Sequence, residues 1–208
     1  MQYFIPTKII KLLLLISFSL VLTLSPYALA DKLNYQLAHI NKNIDVDGVL
    51  NELHWQEATR VAVNYQDEPN EKGTPPVKTD AYIYDDGHNL YVAFVAYDTD
   101  PSKIRAALRD RDTLWQDDNV GLVIDTFNDE RTGYEFYVNP LGAQGDIRMT
   151  DTDEWVSDLS WDAIWDSAGT INDHGYVVEM RIPFKALRFA QNQADSTWGF
   201  SMMRNYHT

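Results

Sequence analysis

The sequence predicts an all-β protein: an antiparallel β-sandwich, immunoglobulin-like or jelly-roll-like, with one or two short helices. Short runs rich in valine, tyrosine and phenylalanine recur along the chain, and turn residues separate them. One run, Gly175 to Pro183, alternates with a period of two, as a strand with one buried face does. Helical periodicity is confined to short stretches. Strands at short intervals with few helices are typical of a sandwich.

The first 30 residues predict a secretory signal peptide. Two lysines precede the apolar run LLLLISFSLVLTL, and Ala28 and Ala30 place small residues at the positions that a signal peptidase reads, with cleavage before Asp31. The run is shorter than the ~20 residues that a membrane-spanning helix needs. We therefore expect residues 31–208 to form one exported domain, in the periplasm, at the outer membrane or outside the cell.

The composition of this domain excludes some classes of partner and of metal site. The 31 acidic and 15 remaining basic residues give a net charge of −16 once the two lysines of the signal segment are removed. Nucleic acid is excluded as a partner, because its phosphates require a basic surface. The chain contains no cysteine, which excludes disulfides and thiolate metal sites.

The elements of the first half are a short helix and a hairpin. A helix is predicted over Leu50–Ala58, with Asn51 as its N-cap. A hairpin follows, in which two runs rich in Val, Tyr and Phe flank the glycine-containing loop Asp85–Asn89. The second run, Leu90–Tyr97, is apolar at successive positions, so it is predicted to be a central strand covered on both faces.

The second half predicts further strands. NVGLVIDTF and GYEFYVNP form a hairpin across NDERTG, GYVVEMRIP is a strand, PFKAL is one helical turn led by its proline, and STWGFSMMRNY is a last strand. The period-two pattern places seven side chains in the core: Val92, Phe94, Ala96, Leu122, Ile124, Val178 and Met180.

The order of several motifs resembles a known family. The chain is similar to family 9 carbohydrate-binding modules in IDVDGVLNELHWQEA, NLYVAFVAYD, LWQDDNVGLVID, YEFYVNPLGAQGD, SWDAIWDSAG and GYVVEMRIPFKALRF…WGFSMMR. It most resembles the version found at the N-terminus of bacterial outer-membrane proteins whose C-terminal part is a predicted β-barrel. The resemblance implies a sandwich fold, carbohydrate binding often beside a glycan-degrading enzyme, and structural calcium in at least some members.

A tryptophan near the start of a strand is the centre of the predicted site. The resemblance places Trp115 where an indole stacks on the sugar, because a flat aromatic ring covers the apolar face of a sugar ring. Asp117 and Asp118 follow as acceptors for hydroxyl hydrogens, and Tyr137 and Asn139 share one face of the partner strand. In the alternative interpretation, the tryptophan plugs the end of the sandwich and the aspartates cap a turn.

The chain departs from the family pattern at three points. Gly121 stands where sugar-binding members carry a glutamate, and Tyr137 stands where they carry an arginine. Their second stacking tryptophan lies past Thr208, so the resemblance predicts a module truncated at its C-terminus, unless another aromatic substitutes. The candidates are Trp155, Trp161 and Trp165, which we expect to pack or to shape a turn.

Other functions are weighed against sugar binding. Acidic residues cluster in residues 151–158 and 125–130, but neither spacing is that of a helix–loop–helix calcium loop, and the five histidines are scattered. A glycosidase would need two carboxylates ~5–10 Å apart across a cleft. A haem-binding sandwich would use methionine and histidine, and the available methionines are Met149, Met180, Met202 and Met203. The main alternative is a structural or plug-like periplasmic domain of an outer-membrane barrel protein, without sugar binding.

Overall fold

A computed structural model describes residues 33–69, 71–151, 155–190 and 197–207. The chain divides into two units, Met1–Asn34 and Tyr35–Thr208, and every described strand lies in the second. Of the first unit only Leu33 and Asn34 are described, and both are exposed. The predicted signal peptide lies outside the described residues. Within them, no helix is both long enough and apolar enough to cross a membrane.

The described strands form two sheets, as the sequence predicts for a β-sandwich. The first sheet has the order β1-β3-β4-β10-β9, with β2 also paired to β3, and the second has the order β11-β5-β6-β7-β8. All pairs are antiparallel except β1 with β3. The strands are β1 (Ala38–His39), β2 (Thr59–Ala62), β3 (Thr79–Asp85), β4 (Asn89–Tyr97), β5 (Asn119–Asp125), β6 (Thr132–Val138), β7 (Gln144–Asp151), β8 (Trp155–Asp158), β9 (Asp166–Asn172), β10 (Gly175–Pro183) and β11 (Gly199–Asn205).

The main core lies between the sheets and consists largely of even-numbered strand residues. The seven predicted core residues are each at most 1% exposed, which confirms the strand faces read from the sequence: Val92, Phe94, Ala96, Leu122, Ile124, Val178 and Met180. Strand β4 is central, between β3 and β10, as its continuous apolar run predicts. Met180 is therefore a core residue, as are the other inward-facing residues of β10.

A second, smaller core covers the outer face of the first sheet. The segment before β2 contributes Ile44 and Trp55, which pack on Tyr84, Tyr91 and Ala93. The rings of Tyr84 and Tyr91 are stacked, with centroids 4.7 Å apart. This layer explains why outward-facing residues of β4 are apolar as well as inward-facing ones.

The prediction of a helix over Leu50–Ala58 is wrong both in the length of the helix and in the residue that caps it. Only a 3₁₀ helix, Leu53–Gln56, forms, and it follows Glu52 without a side-chain capping bond, so Asn51 is not an N-cap. Trp55 is the only buried residue of this turn, whereas Leu53 is 79% exposed. One apolar anchor does not support a longer amphipathic helix. The described residues contain two further 3₁₀ helices, Pro101–Lys103 and Phe184–Ala186, and the second follows Pro183 as predicted.

Glu179 is a buried carboxylate on the outer face of β10, beneath the segment before β2. Its oxygens accept hydrogen bonds from the backbone N–H groups of Asp47 (3.1 Å) and Gly48 (2.9 Å) and from Nε1 of Trp55 (3.1 Å). Burial raises the pKa of Glu179 to about 7, although these three donors oppose the shift.

We expect the free energy of unfolding to fall as the pH rises from about 4.5 to about 7. The folded state then holds a proton on Glu179 that the unfolded state has already lost, so ionisation costs the folded state more. Urea denaturation at a series of pH values measures this slope. Glu179→Gln, which stays neutral, should make the slope in this range shallower, and an unchanged slope in that variant would contradict the assignment to Glu179.

Candidate functional site

Trp115 lies in the loop of residues 104–118, which leads into β5, against the outer face of the second sheet. It is 37% exposed. Its Nε1 donates a hydrogen bond of 2.7 Å to the backbone oxygen of Asp112. The indole lies close to Gly145 of β7, where an added Cβ would come within 3.2 Å of Cη2. The small residue in β7 thus allows the ring to lie against the sheet, with part of it in solvent.

The ring of Tyr137 packs against the indole of Trp115. The two rings meet edge to face, with centroids 5.3 Å apart and an interplanar angle of 77°. The phenol donates to Oε2 of Glu135 at 2.6 Å, and burial raises the pKa of Tyr137, so the ring is neutral. Trp115 is held by a backbone oxygen on one side and by the ring of Tyr137 on another, so the protein itself fixes the orientation of the indole.

Asp117 is 3% exposed and binds its own loop. Its carboxylate accepts hydrogen bonds from Nε and Nη2 of Arg109 at 3.0 and 2.8 Å, from the N–H of Ala107 at 3.2 Å and from Nδ2 of Asn139 at 2.9 Å. The Arg109 guanidinium is the main reason why the pKa of Asp117 is lowered. This ionised carboxylate fastens the 104–118 loop to the end of β6.

Asp118 and Asn139 also bind the protein itself. Asp118 is fully buried and accepts from the N–H groups of Arg105 (2.7 Å) and His207 (2.9 Å). The Asn139 oxygen accepts from the N–H groups of Leu141 (3.0 Å) and Ala143 (2.9 Å). The structure thus brings the five predicted site residues into one corner, where the described side chains of Asp117, Asp118 and Asn139 shape the loops.

Glu135 is a carboxylate that the sequence argument did not select. It lies two residues before Tyr137 on the same face of β6 and is partly exposed. Its neighbours on this outer face, Val123 and Ile147, are also half-buried. The period-two spacing from Tyr137 was the signal that could have identified it.

A cluster of three carboxylates lies beside the Trp115 loop. Oxygen atoms of Asp112, Asp146 and Asp162 lie within 4.8 Å of one another. The guanidinium of Arg111 is directed at this group and contacts Asp146 and Asp162. Burial raises the pKa of Asp146, and the hydrogen bond from Arg111 opposes that shift.

Comparison of the sequence with known protein families identifies the family of this chain. The family described as carbohydrate family 9 binding domain-like matches residues 46–208. The chain belongs to this family. No curated protein matches the sequence.

Two solved structures of family 9 modules from Caldicellulosiruptor kristjanssonii have the same fold. The module in complex with glucose is 17% identical, with a TM-score of 0.54, over 82% of this chain and 76% of that chain. The module in complex with cellotriose is 16% identical, with a TM-score of 0.53, over 81% and 74%.

Calcium, which the family resemblance implied, does not fit the acidic cluster of this family 9 chain. A calcium ion needs six to eight oxygen ligands around one empty centre. Here the guanidinium of Arg111 is already bound by the carboxylates that would supply those ligands. Elsewhere, the predicted acidic turns are closed by backbone donors: Asp125 accepts from the N–H groups of Phe127 and Glu130. Residues 152–154 of the other acidic stretch lie outside the described residues.

Two of the three candidate second aromatics, Trp161 and Trp165, do not face Trp115. Trp165 is buried in the main core, edge to face with Phe136 at 5.1 Å, and Trp161 lies 5.0 Å from the ring of Tyr134. Both partners are inward-facing residues of β6, whereas Trp115 lies on the outer face of the same sheet. The side chain of Trp155 lies outside the described part of the chain. Trp161 and Trp165 therefore pack, as the sequence predicts, and do not enclose a ligand with Trp115.

The ring of Tyr137 covers Gly121, so Gly121→Ala should destabilise the fold by about 1–3 kcal/mol through overpacking. An added Cβ would lie 2.6 Å from Cδ1 and Cε1 of that ring. In a Tyr137→Ala background the same alanine should cost much less, because the clashing ring is absent and only Cγ of Met203, at 3.3 Å, stays close to the added Cβ. A double-mutant cycle by urea denaturation measures this, and equal costs in the two backgrounds would show that the contact is not the cause.

Proposed function

We propose that residues 31–208 form a non-catalytic carbohydrate-binding module that stacks a sugar ring on Trp115. Family membership supports the class of ligand. The observation that carries the stacking is a 37% exposed indole, fixed by the Asp112 oxygen and by Tyr137. A rigid aromatic surface covers the C–H face of a sugar at little cost in side-chain entropy.

We propose a division of roles among the polar residues of the corner. Glu135 is the acceptor for a sugar hydroxyl, because it is partly exposed and linked to the indole through Tyr137. Asp117, Asp118 and Asn139 hold the loop that carries Trp115, because their polar atoms bind backbone and side-chain donors of the protein. A hydroxyl that reaches Glu135 would share its carboxylate with the phenol of Tyr137.

The ligand that fits best is a neutral gluco-oligosaccharide. The similar family 9 modules are in complex with glucose and with cellotriose. Residues 31–208 carry a net charge of −16, from 15 basic and 31 acidic residues, so their field opposes glycans that carry uronic acids or sulfate groups. A neutral sugar meets no such barrier.

The setting of the module is an exported protein. The signal peptide of residues 1–30 supports export to the periplasm, the outer membrane or the exterior. The resemblance described above supports a place in the cell envelope, with a C-terminal outer-membrane β-barrel as partner and a role in the binding or breakdown of polysaccharide.

A structural domain without sugar binding is the second candidate. The observation that favours it is the ring of Tyr137 over Gly121, two positions at which sugar-binding members of the family carry charged side chains. In this chain that part of the sheet is filled by an internal contact. The two candidates differ in one property, which is affinity for sugar.

Isothermal titration calorimetry of residues 31–208 tests the proposal. We expect weak, saturable, enthalpy-driven binding of cellotriose, weaker binding of glucose and none of an oligogalacturonate used as an anionic control. Glu135→Gln keeps an oxygen that can accept the phenol of Tyr137 but removes the charge, so it should weaken the binding of cellotriose while changing the melting temperature little more than the control Glu71→Gln does. An absence of binding to all neutral oligosaccharides tested would favour the structural domain.

A further inference from the structure

We propose that Arg111 acts in this chain as a built-in cation that replaces a metal ion: it gathers three carboxylates and thereby fixes the loop that presents Trp115. The proposal rests on the proposed function only for the importance it gives to Trp115. The cation role itself is independent of sugar binding.

The surroundings of the guanidinium resemble the oxygen shell of a cation. Five oxygen atoms from five residues face it, two of them neutral and three carboxylate. They are Oε1 of Gln144 (3.2 Å), the backbone oxygen of Ala163 (2.7 Å), Oδ1 of Asp162 (3.1 Å), Oδ2 of Asp112 (4.0 Å) and Oδ1 of Asp146 in a short contact. Nη1 and Nη2 donate hydrogen bonds to Gln144, Ala163 and Asp146, whereas Nε faces Asp162 and Asp112 as an ion pair without a hydrogen bond.

The buried carboxylate of this cluster, Asp146, needs a positive charge beside it. Asp146 is fully buried, and its second oxygen accepts the N–H of Ala163 at 2.6 Å. A buried carboxylate is costly unless it is paired. Within the described residues, Arg111 is the only cationic side chain that forms an ion pair with any of the three acids.

The cluster is connected to the indole through Asp112. The backbone N–H of Asp112 donates to the backbone oxygen of Gln144 at 2.9 Å. Oδ1 of Asp112 accepts the backbone N–H of Asp146 at 2.9 Å. Asp112 has a φ of +61°, a left-handed conformation that is uncommon for a residue other than glycine. Its backbone oxygen is the acceptor for Nε1 of Trp115. The charge on Arg111 therefore stabilises the backbone conformation on which the position of the indole depends.

Thermal melting with calcium or with excess chelator tests the cation role. The wild type should melt at the same temperature in both. Arg111→Ala should melt at a lower temperature in chelator, and calcium at about 100 times its Kd should raise that temperature by roughly 5–10 °C, because an ion now fills the vacated centre. Arg111→Ala/Asp146→Ala should lose the calcium response. The matched control Arg131→Ala, an exposed arginine of the β5–β6 turn, should behave as the wild type.

The indole N–H resonance of Trp115 tests the positioning role without any sugar. In ¹⁵N-labelled protein it is identified by its absence from Trp115→Phe. We expect it to shift or broaden in Arg111→Ala with chelator and to return towards the wild-type position with calcium. Arg111→Lys keeps a positive charge, so it should fold and its melting temperature should not change with calcium. Its Trp115 indole resonance should be shifted but sharp.

Three results would overturn the proposal. They are a rise in wild-type melting temperature on adding calcium, an Arg111→Ala variant that melts like the wild type, and a calcium response in Arg111→Lys as large as that of Arg111→Ala. If Arg111→Ala folds only with calcium, the cation role is supported. If it folds in neither condition, the Arg111→Lys results decide. A wild type that binds no sugar would contradict the proposed function and leave these melting and resonance tests intact.

Discussion

Phe94→Ala is expected to lower the free energy of unfolding by about 3–5 kcal/mol, the range typical of a buried aromatic side chain. Phe94 lies in the middle of β4, the central strand of the first sheet, and is fully buried between the sheets. Its partners across the ladder, Ala81 and Val178, are buried too. Truncation therefore leaves a cavity in the core, because paired strands on both sides limit its collapse.

Phe127→Ala is the matched control for this variant. Phe127 lies in the β5–β6 turn and is 47% exposed, so its loss should change the free energy of unfolding by well under half as much. Urea denaturation of both variants measures the difference. A Phe94→Ala variant as stable as Phe127→Ala would mean that the space between the sheets is not the main core.

Asp117→Ala is expected to cost about 3 kcal/mol, because it leaves buried donors without an acceptor at ~1–3 kcal/mol each. The N–H of Ala107 and the amide of Asn139 lose an acceptor, and Arg109 loses its carboxylate partner. The pKa of Asp117 is lowered, chiefly by Arg109, so this stabilisation is present above the ordinary carboxyl pKa and is lost as the pH falls through the lowered value.

The control for Asp117→Ala is Asp173→Ala, which removes an exposed carboxylate from the β9–β10 turn. That variant should unfold like the wild type. The free energy of unfolding of Asp117→Asn should lie between those of Asp117→Ala and Asp173→Ala, because asparagine keeps the size of the side chain but loses the charge that pairs with Arg109. An Asp117→Ala variant with unchanged stability would argue against the scaffold role.

The strands could be predicted from the sequence because their faces differ in polarity at a period of two. The alternation in β10 and the continuous apolar run of β4 both identify strands and their buried faces. The segment before β2 could not be predicted in this way. Its contribution to packing depends on two isolated residues, Ile44 and Trp55, whose partners lie in distant strands. Isolated buried residues produce no periodic pattern. The same sequence is therefore also compatible with the predicted helix, although the structure has only a 3₁₀ turn there.

The neighbourhood of the site could be predicted, but the direction of its side chains could not. The sequence places Trp115, Asp117 and Tyr137 near one strand end, and the structure brings them together. Whether a carboxylate beside a loop faces solvent or the protein depends on donors elsewhere in the chain. Here the guanidinium of Arg109 supplies two of the donors to Asp117, and the N–H groups of Arg105 and His207 supply those to Asp118. The hint in the sequence was a segment with three arginines, IRAALRDRD, in an otherwise acidic chain. Which donor a carboxylate meets is not encoded in local spacing.

The Trp115→Ala variant, titrated with cellotriose by calorimetry and melted beside the wild type, tests the central claim most directly. Because the indole is partly exposed and meets Tyr137 edge to face outside the main core, we predict that binding is abolished and that stability falls only modestly. A buried plug would behave in the opposite way, with a loss of about 3–5 kcal/mol. Sugar binding that survives in Trp115→Ala, together with such a loss of stability, would contradict the account.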